Sequence, residues 1–201
     1  MELTDVLRRR RMIRDYRPDP VPAEVIDRLT EAGRRSPTAG FTQGVSFLVL
    51  DRPDDVAGFW SATGDDDDSA VGSSWLAGMR SAPVLILVWT SEAAYLDRYA
   101  EPDKGWTDRD PARWSAPYWW VDAGMAAQTI LLAAVDAGLG GCFFGIPPEQ
   151  QDEVRRRFGV PTDQLSAGVI TLGYPASAGT PGSPTRRPRR PANDQIRHHH
   201  W

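Results

Sequence analysis

The sequence of 201 residues contains a single cysteine, Cys142. One cysteine cannot form an intrachain disulfide, and it cannot supply the cysteine set of a structural zinc site. The sequence also lacks an apolar run as long as a signal peptide or a membrane span requires. These absences predict a cytoplasmic protein that does not bind a membrane.

Signatures of nucleotide-binding and hydrolytic enzymes are missing as well. The chain has no P-loop, no H-E-x-x-H zinc motif and no G-x-S-x-G nucleophile elbow. Its stretch Gly138-Leu139-Gly140-Gly141 lacks the spacing of a dinucleotide fingerprint and follows a predicted helix instead of a strand. The sequence therefore argues against a Rossmann fold, and it shows no catalytic triad.

Charge is acidic overall but unevenly distributed. The net charge is -4 and the isoelectric point is about 5.4, a balance that disfavours nucleic acid as the main partner. Arginines nevertheless cluster near both ends of the chain, as Arg8, Arg9, Arg10, Arg11 and Arg14 and as Arg186, Arg187, Arg189, Arg190 and Arg197. Two basic clusters that lie far apart in sequence predict a shared anion, with nucleic acid as the alternative.

Two further clusters have a simple interpretation. The run Asp65–Asp68 predicts a solvated loop or helix start, because consecutive acids repel one another and seldom converge on one cation. His198, His199 and His200 are interpreted as part of a solvated tail, with a metal site as the alternative. We predict no metal site.

Apolar spacing predicts four helices and three strands in one α+β domain over residues 1–201. The helices cover about residues 3–10, 22–36, 121–137 and 148–158, and the strands cover 45–50, 83–89 and 167–174. The third helix is apolar on nearly all faces, which predicts that it is buried all round. Residues from about 90 to 120 are rich in Trp, Tyr, Asp and Pro and predict a variable cap.

The stretch Arg10-Arg11-Met12-Ile13-Arg14-Asp15-Tyr16 is similar to a motif R-R-S-x-R-x-F/Y, with Met12 at the Ser position, and a Pro-Asp-Pro-Val turn follows it. Together with three later stretches, it resembles the nitroreductase family of FMN-dependent reductases. The resemblance implies that Arg10 meets the FMN phosphate and that Arg14 lies near N1 and O2 of the isoalloxazine ring. Arg11 and Met12 are further candidate contacts. A phosphate dianion suits the planar donors of arginine, and a guanidinium near N1 stabilises the negative charge of reduced flavin.

The second stretch, Ser36-Pro37-Thr38-Ala39-Gly40-Phe41-Thr42-Gln43-Gly44, is similar to the family's A-P-S-x-x-N-x-Q-P-W loop. In the family this loop reaches the flavin of the partner subunit, so its candidate contacts here are Pro37, Thr38, Ala39 and Phe41. Phe41 replaces an Asn, Gly44 a Pro, and Met12 a Ser that usually donates to FMN. Backbone N–H groups of the same loops can still serve the ring and the phosphate.

The third stretch, from Asp122 through Gln128 to Gly145, resembles the family's long central helix and the glycine-rich loop after it. The resemblance implies that the helix packs in a homodimer interface and that the loop lies along the flavin. Its candidate contacts are Gly140, Gly141, Cys142 and Phe143. A helix apolar on all faces needs a covering partner, and glycine lets the backbone approach a planar ring. Cys142 itself is interpreted as a small core residue and not as a redox nucleophile.

The fourth stretch, Arg186-Arg187-Pro188-Arg189-Arg190-Pro191 with the terminal Trp201, resembles the family's closing R-R-P-L segment and its final His and Trp. It implies that Arg187, Arg189 or Arg190 completes the phosphate site from an extended arm over residues 176–201. A disordered basic tail is the alternative.

The family's fold is an α+β arrangement in which helices surround a central mixed or antiparallel sheet, in a homodimer. The resemblance implies that NAD(P)H reduces FMN and that a small planar acceptor, such as a nitroaromatic or a quinone, is then reduced by ping-pong kinetics. Because the cofactor performs the hydride chemistry, no catalytic triad is needed. The aromatic residues of the cap are candidates for a lid over the acceptor, with core packing as the alternative: Trp106, Trp114, Tyr118, Trp119 and Trp120. A flavin-binding or storage protein with little turnover is the alternative function.

Overall fold

The structure, a computed structural model, describes residues 1–64, 74–176 and 187–200, without the side chains of Ser74 and Trp75. The predictions made for Asp65–Asp68, Arg186 and Trp201 lie outside the described residues. Among the helices in these ranges, none combines the length and the apolar character that crossing a bilayer requires.

Helices and strands follow one another without a regular alternation. The helices are α1 (Leu3–Arg9), α2 (Ala23–Arg34), α3 (Pro53–Ala62), α4 (Ser74–Arg80), α5 (Glu92–Ala100), α6 (Tyr118–Asp136), α7 (Gln151–Phe158) and α8 (Ala192–Gln195). The strands are β1 (Val45–Leu50), β2 (Val84–Thr90), β3 (Gly140–Phe144) and β4 (Leu165–Gly173). Single 3₁₀ turns lie at Ala39–Phe41, Pro111–Arg113 and Pro148–Gln150.

The four strands form one antiparallel sheet in the order β1-β2-β4-β3. All seven residues of β2 are buried, because helices cover both faces of the sheet at its centre. One apolar core lies between the sheet and helices α2 and α6, and a second lies between the opposite face and helices α3 and α7. This arrangement confirms the predicted α+β class with a sheet surrounded by helices.

Most predicted elements are confirmed with small shifts at their ends. β1 has the predicted bounds, and α1, α2, β2 and β4 lie where their apolar patterns place them. Helix α7 follows a 3₁₀ turn and ends at Gly159, whose φ of 64° is the left-handed conformation that glycine adopts readily. Helix α6 begins three residues before the predicted start, at Tyr118.

The prediction that α6 is buried all round is wrong for the single chain. Trp120, Val121 and Met125 are 41%, 44% and 36% exposed, and Gly124 lies beside them on the same side of the helix. Leu3 and Leu7 of α1 are also exposed, and α1 packs on α6. We call this surface, formed by Leu3, Leu7, Trp120, Val121, Gly124 and Met125, the apolar face.

Two further expectations need correction. Residues Gly140–Phe144 do not form a loop after the central helix, since they pair with β4 as the edge strand β3. The strand tolerates its two glycines because neighbouring groups occupy the space that side chains would need. The segment predicted as an irregular cap begins with helix α5, which starts after Ser91, whose hydroxyl accepts a hydrogen bond from the Ala94 N–H at 3.3 Å.

Candidate functional site

The first arginine stretch lies directly against the glycine-containing strand β3. Met12 forms a parallel bridge with Gly141, and the Ile13 N–H donates to the Gly141 carbonyl oxygen at 3.0 Å. Gly140 makes this close approach possible, because a Cβ at that position would lie only 2.5 Å from Cγ1 of Ile13. The fold therefore brings together the first and third stretches of the sequence analysis.

Tyr16 anchors the end of this segment in the core. Its hydroxyl donates to the Ile13 carbonyl oxygen at 2.5 Å and lies 2.7 Å from Thr171 Oγ1 on β4. Burial raises the pKa of the Tyr16 hydroxyl well above its usual range, so Tyr16 remains neutral. On the other side, the Tyr16 N–H donates to Ser81 Oγ at 3.0 Å. The path of residues 12–16 is thus fixed from both sides.

Arg14 is half-buried in this segment. Its Nη1 donates to the Met12 carbonyl oxygen at 3.3 Å, whereas its buried Nε has no hydrogen-bond partner among the described residues. Helix α4 lies against its backbone, since a Cβ at Gly78 would come 2.0 Å from the Arg14 carbonyl oxygen. An unpartnered buried donor indicates a missing acceptor next to the guanidinium.

The positive charge of this segment is not neutralised by neighbouring acids. Within the described ranges, Arg10, Arg11 and Arg14 form no salt bridge. Arg11 instead donates to the carbonyl oxygens of Arg8 and Arg10, at 2.6 and 3.0 Å. Three guanidinium groups in five residues attract an anion, and their planar donors match phosphate oxygens. These residues therefore fit a phosphorylated flavin.

The predicted contacts on β3 differ in exposure. Gly140, Gly141 and Cys142 are buried, and Phe143 is half-buried. Burial raises the pKa of the Cys142 thiol, and the nearby Arg14 guanidinium opposes only part of this effect. A buried neutral thiol is a core residue, which agrees with the interpretation of Cys142 as a packing residue.

The second stretch forms a tightly wound loop over residues 36–44. Gly40, Phe41 and Gln43 have positive φ values of 63°, 55° and 56°. The left-handed conformation costs a non-glycine residue roughly 1–2 kcal/mol, so Phe41 and Gln43 are strained. Thr38 stabilises the turn, because its Oγ1 accepts from the Gln43 N–H at 3.0 Å. Phe41 stands at the tip and is 76% exposed.

Two charged side chains hold the 36–44 loop in place. Asp122 Oδ2 accepts from the Ala39 N–H at 2.8 Å and from the Tyr95 hydroxyl at 2.7 Å. Arg98 Nε donates to the Gly40 carbonyl oxygen at 2.9 Å. Hydrogen bonds to charged groups contribute roughly 1.5–3 kcal/mol each, enough to offset the strain at Phe41 and Gln43. Pro37 is exposed beside this network, and Thr38 is half-buried.

The single chain does not enclose a flavin between its predicted contacts. A pocket of about 200 Å³ lies under the 36–44 loop, bordered by Thr38, Gln43 and Asp122. This volume is below the roughly 300 Å³ at which ligand pockets begin. A groove of about 660 Å³ lies elsewhere, between α3 and residues 80–84, and none of the predicted flavin contacts lines it.

The predicted contacts therefore separate into groups. No hydrogen bond or ion pair joins the 36–44 loop to residues 10–14 within the described part of the chain. Arg187, Arg189 and Arg190 are exposed on the arm that leads to α8, where Arg190 Nη2 donates to the Asp194 carbonyl oxygen at 3.4 Å. Of the predicted contacts that the structure describes, it brings together only residues 10–14 and β3.

Aromatic residues of the predicted cap pack mostly against one another. Trp114 lies at the centre, with ring centroids 4.3 Å from Tyr99, 5.5 Å from Trp106 and 5.6 Å from Tyr118. Trp119 is buried, which favours the core-packing interpretation for it, whereas Tyr118 and Trp120 remain exposed. Trp106 and Trp114 are half-buried, so Tyr118 and Trp120 offer the most surface to a ligand among these five residues.

The residues that hold the 36–44 loop were not predicted from the sequence. Tyr95 and Arg98 lie on α5, a helix that was not predicted, and Asp122 was noted only as the start of a stretch. A signal was present for Asp122, because a single acid between Val121 and Ala123 on an apolar helix requires buried donors.

Comparison with known proteins supports the same family. The sequence profile of the nitroreductase family matches residues 7–174. A candidate NADH dehydrogenase/NAD(P)H nitroreductase from Methanothermobacter thermautotrophicus is 28% identical over 179 residues, which cover 88% of this chain and 78% of the relative. Its name agrees with the prediction of an oxidoreductase enzyme.

Solved structures of the same fold include flavin and nicotinamide complexes. A candidate nitroreductase from Exiguobacterium sibiricum, solved in complex with FMN, has a TM-score of 0.77 at 18% identity and covers 98% of this chain and 97% of its own. An NADPH:FMN oxidoreductase from Vibrio harveyi, complexed with NAD+, has a TM-score of 0.71 at 20% identity over 99% of this chain and 77% of its own. These ligands agree with the FMN and NAD(P)H predictions. With a family profile that spans most of its length and with this fold, the chain belongs to the nitroreductase family.

Proposed function

We propose that the protein is an FMN-dependent oxidoreductase that uses NAD(P)H to reduce a small planar acceptor, such as a nitroaromatic or a quinone, by ping-pong kinetics. The observation that carries the proposal is the group of three arginines, Arg10, Arg11 and Arg14, which lack acidic partners among the described residues and belong to the segment that pairs with β3 through Met12. The names and ligands of the similar proteins support the same chemistry.

Each group of predicted contacts has a task in this proposal. Arg10 and Arg11 bind the phosphate, and Arg14 lies at the pyrimidine side of the ring. Met12 and the β3 residues Gly140, Gly141, Cys142 and Phe143 line the ring mainly through their backbone. Pro37, Thr38, Ala39 and Phe41 approach from the partner subunit, and Arg187, Arg189 or Arg190 completes the phosphate site. FMN supplies the hydride chemistry when it is bound.

The protein's own contribution is electrostatic. The Arg14 guanidinium provides a fixed positive charge where negative charge accumulates near N1. Its half-buried position strengthens this effect, since a charge acts more strongly away from bulk water. Burial raises the pKa values of Tyr16 and Cys142, so both stay neutral and neither adds a negative charge that would offset the Arg14 guanidinium.

The complete site requires a homodimer. The apolar face combines exposed apolar residues of α1 and α6, two helices that contact each other, and exposed apolar patches mark interaction sites. A two-fold axis through this face would bury it against itself. In this dimer, as the resemblance to the family implies, the 36–44 loop meets the flavin bound at residues 10–14 of the partner subunit.

The proposal places the protein in the cytoplasm, because its single free cysteine suits a reducing compartment. NAD(P)H is available there as the electron donor.

The test is an absorption spectrum of the purified protein, with and without added FMN, followed by NADH and NADPH oxidation against nitroaromatic and quinone acceptors. We expect flavin bands and acceptor-dependent oxidation with parallel lines in a double-reciprocal plot. Flavin bands without turnover would favour the storage alternative. A colourless protein that does not bind added FMN would refute the proposal.

A further inference from the structure

We propose that Asp122 is a positioning residue that holds the 36–44 loop in the conformation in which it meets FMN. This inference rests on the proposed function, and it concerns a residue of α6 that makes no predicted contact with the flavin itself. Its physical basis is the pair of hydrogen bonds from the Ala39 N–H and the Tyr95 hydroxyl to Asp122 Oδ2.

Burial at position 122 is energetically unfavourable for a carboxylate. The residue is 1% exposed and is surrounded along α6 by apolar neighbours. Its second oxygen, Oδ1, has no hydrogen-bond partner among the described residues. A buried carboxylate with incomplete hydrogen bonding destabilises a core that an apolar residue would fill without cost. The presence of Asp122 is explained if its carboxylate is needed to accept a hydrogen bond from the 36–44 loop.

The loop needs an acceptor at this point because its backbone is strained. Phe41 and Gln43 hold left-handed conformations, and Gly40 lies so close to Tyr99 that a Cβ would come within 2.6 Å of that ring. Asp122 holds the N–H side of the turn at Ala39, and Arg98 holds its carbonyl side at Gly40. Removal of the carboxylate leaves Ala39 without its partner, so the strained residues can relax.

The two charges act together on one short segment of backbone. Arg98 is itself oriented by Asp103, with Nη1 to Oδ1 at 2.7 Å and Nη2 to Oδ2 at 2.8 Å. Asp122 is oriented by Tyr95, which is fully buried. Each charged group is therefore fixed before it meets the loop, which is the arrangement expected for a preorganised binding loop.

The experiment compares Asp122→Ala, Asp122→Asn and the control Thr30→Val. Thr30 Oγ1 donates to the Ile26 carbonyl oxygen at 3.1 Å within α2, so this control removes a side-chain hydrogen bond that does not involve the 36–44 loop. Two quantities are measured: amide hydrogen exchange of residues 36–44 in the FMN-free protein, and the dissociation constant for FMN from flavin fluorescence.

Asp122→Ala should speed exchange at the loop and weaken FMN binding, each by about tenfold, as expected for loss of one hydrogen bond to a charged group. Asp122→Asn keeps an oxygen acceptor and should recover most of both effects, and Thr30→Val should change neither. If Asp122→Ala does not fold, Tyr95→Phe removes the hydroxyl that orients the carboxylate and should shift both quantities in the same direction by a smaller factor.

Unchanged exchange at the loop in Asp122→Ala would overturn the inference, as would a loosened loop with unchanged FMN affinity. Failure of the unmodified protein to bind FMN would instead overturn the proposed function and the positioning role with it. The two failures are distinguishable, because the exchange measurement uses protein without FMN.

Discussion

Arg10 and Arg14 carry the same guanidinium but occupy different environments. Both are half-buried, but Arg10 is the C-cap residue of α1, whereas Arg14 follows the segment that pairs with β3, lies next to α4 and has a buried Nε. We expect different kinetic consequences from these positions. A phosphate contact contributes to binding, and a charge near the reacting ring contributes to the rate.

Replacing each arginine by alanine should separate these two effects. Arg10→Ala should raise the dissociation constant of FMN by roughly tenfold or more, because one charge-assisted contact to phosphate is lost. Arg14→Ala should slow the bleaching of bound FMN by NAD(P)H more than it weakens FMN binding. Fluorescence titration and stopped-flow absorption measure the two quantities. Retained FMN and unchanged reduction in both variants would contradict the assignment.

Cys142 should behave as an inert thiol. It is 1% exposed, and burial raises its pKa, so the thiolate needed for alkylation is scarce at neutral pH. Iodoacetamide should label the native protein far more slowly than the protein unfolded in guanidinium chloride, which serves as the control. The raised pKa of Cys142 also makes the free energy of unfolding depend on pH. Below the ordinary thiol pKa of about 8.5 the thiol is neutral in both the folded and the unfolded chain, and above it the unfolded chain ionises first, so stability falls as the pH rises. Rapid native labelling at pH 7 would refute this prediction.

At the scale of single residues, the sequence predicted which charged residues cluster but not which residues form hydrogen bonds with one another. The arginine stretch could be recognised because its residues are adjacent, and the structure attaches this stretch to β3 through Met12 and Ile13. The task of Asp122 could not be predicted, because its partners Ala39 and Tyr95 are separated from it in sequence and meet only after α5 and α6 have packed.

The strand β3 links the core to the candidate site through Gly140. Gly140→Ala would place a Cβ 2.5 Å from Ile13 Cγ1, and Ile13 is itself buried. Overpacking of this kind costs about 1–3 kcal/mol, and here it should also push residues 12–14 away from β3 and weaken FMN binding. Chemical denaturation and flavin titration measure the two effects.

Gly145→Ala is the matched control for this substitution, because a Cβ there has no neighbour within 4 Å. It should leave the free energy of unfolding nearly unchanged. Equal stability of the two alanine variants would show that residues 12–14 are not held by the contact at Gly140.

Helix α6 should join two copies of the chain through the apolar face. Met125→Glu places a charge in the middle of that face, and burial of an unpaired charge opposes association. We expect the variant to be a monomer with little bound FMN, as judged by sedimentation and absorption. Ser61→Glu adds the same charge at an exposed position of α3 and should remain a dimer. A dimeric Met125→Glu variant would place the interface elsewhere.

At the scale of elements, apolar runs were sufficient for β1, β2 and α6 but not for β3. Glycine is disfavoured in strands, so Gly140-Gly141 indicated a loop. The segment is a strand in the structure because it pairs with β4 and packs closely against Ile13. Helix α3 was not predicted from apolar spacing, although its sequence contains a helix start signal. Pro53 lies in the first turn and is followed by Asp54 and Asp55, acids that are favoured near a helix N-terminus.

Across the whole molecule, the predicted contacts form two incomplete halves. Residues 10–14 and β3 supply positive charge and a backbone surface, whereas the 36–44 loop supplies a rigid, exposed tip at Phe41. Neither half encloses a cofactor, and the apolar face lies on the helix from which Asp122 holds the loop. The proposed dimer, which would join the two halves, gives a reason why the chain exposes both an apolar surface and a strained loop.

The most direct test is an anaerobic titration of the FMN-loaded protein with NADH and NADPH, followed by the visible absorption of the flavin. We predict that a stoichiometric amount of at least one of the two nucleotides bleaches the bound flavin and that a quinone then restores its absorption. A bound flavin that neither nucleotide bleaches would contradict the proposal that this chain is a reductase.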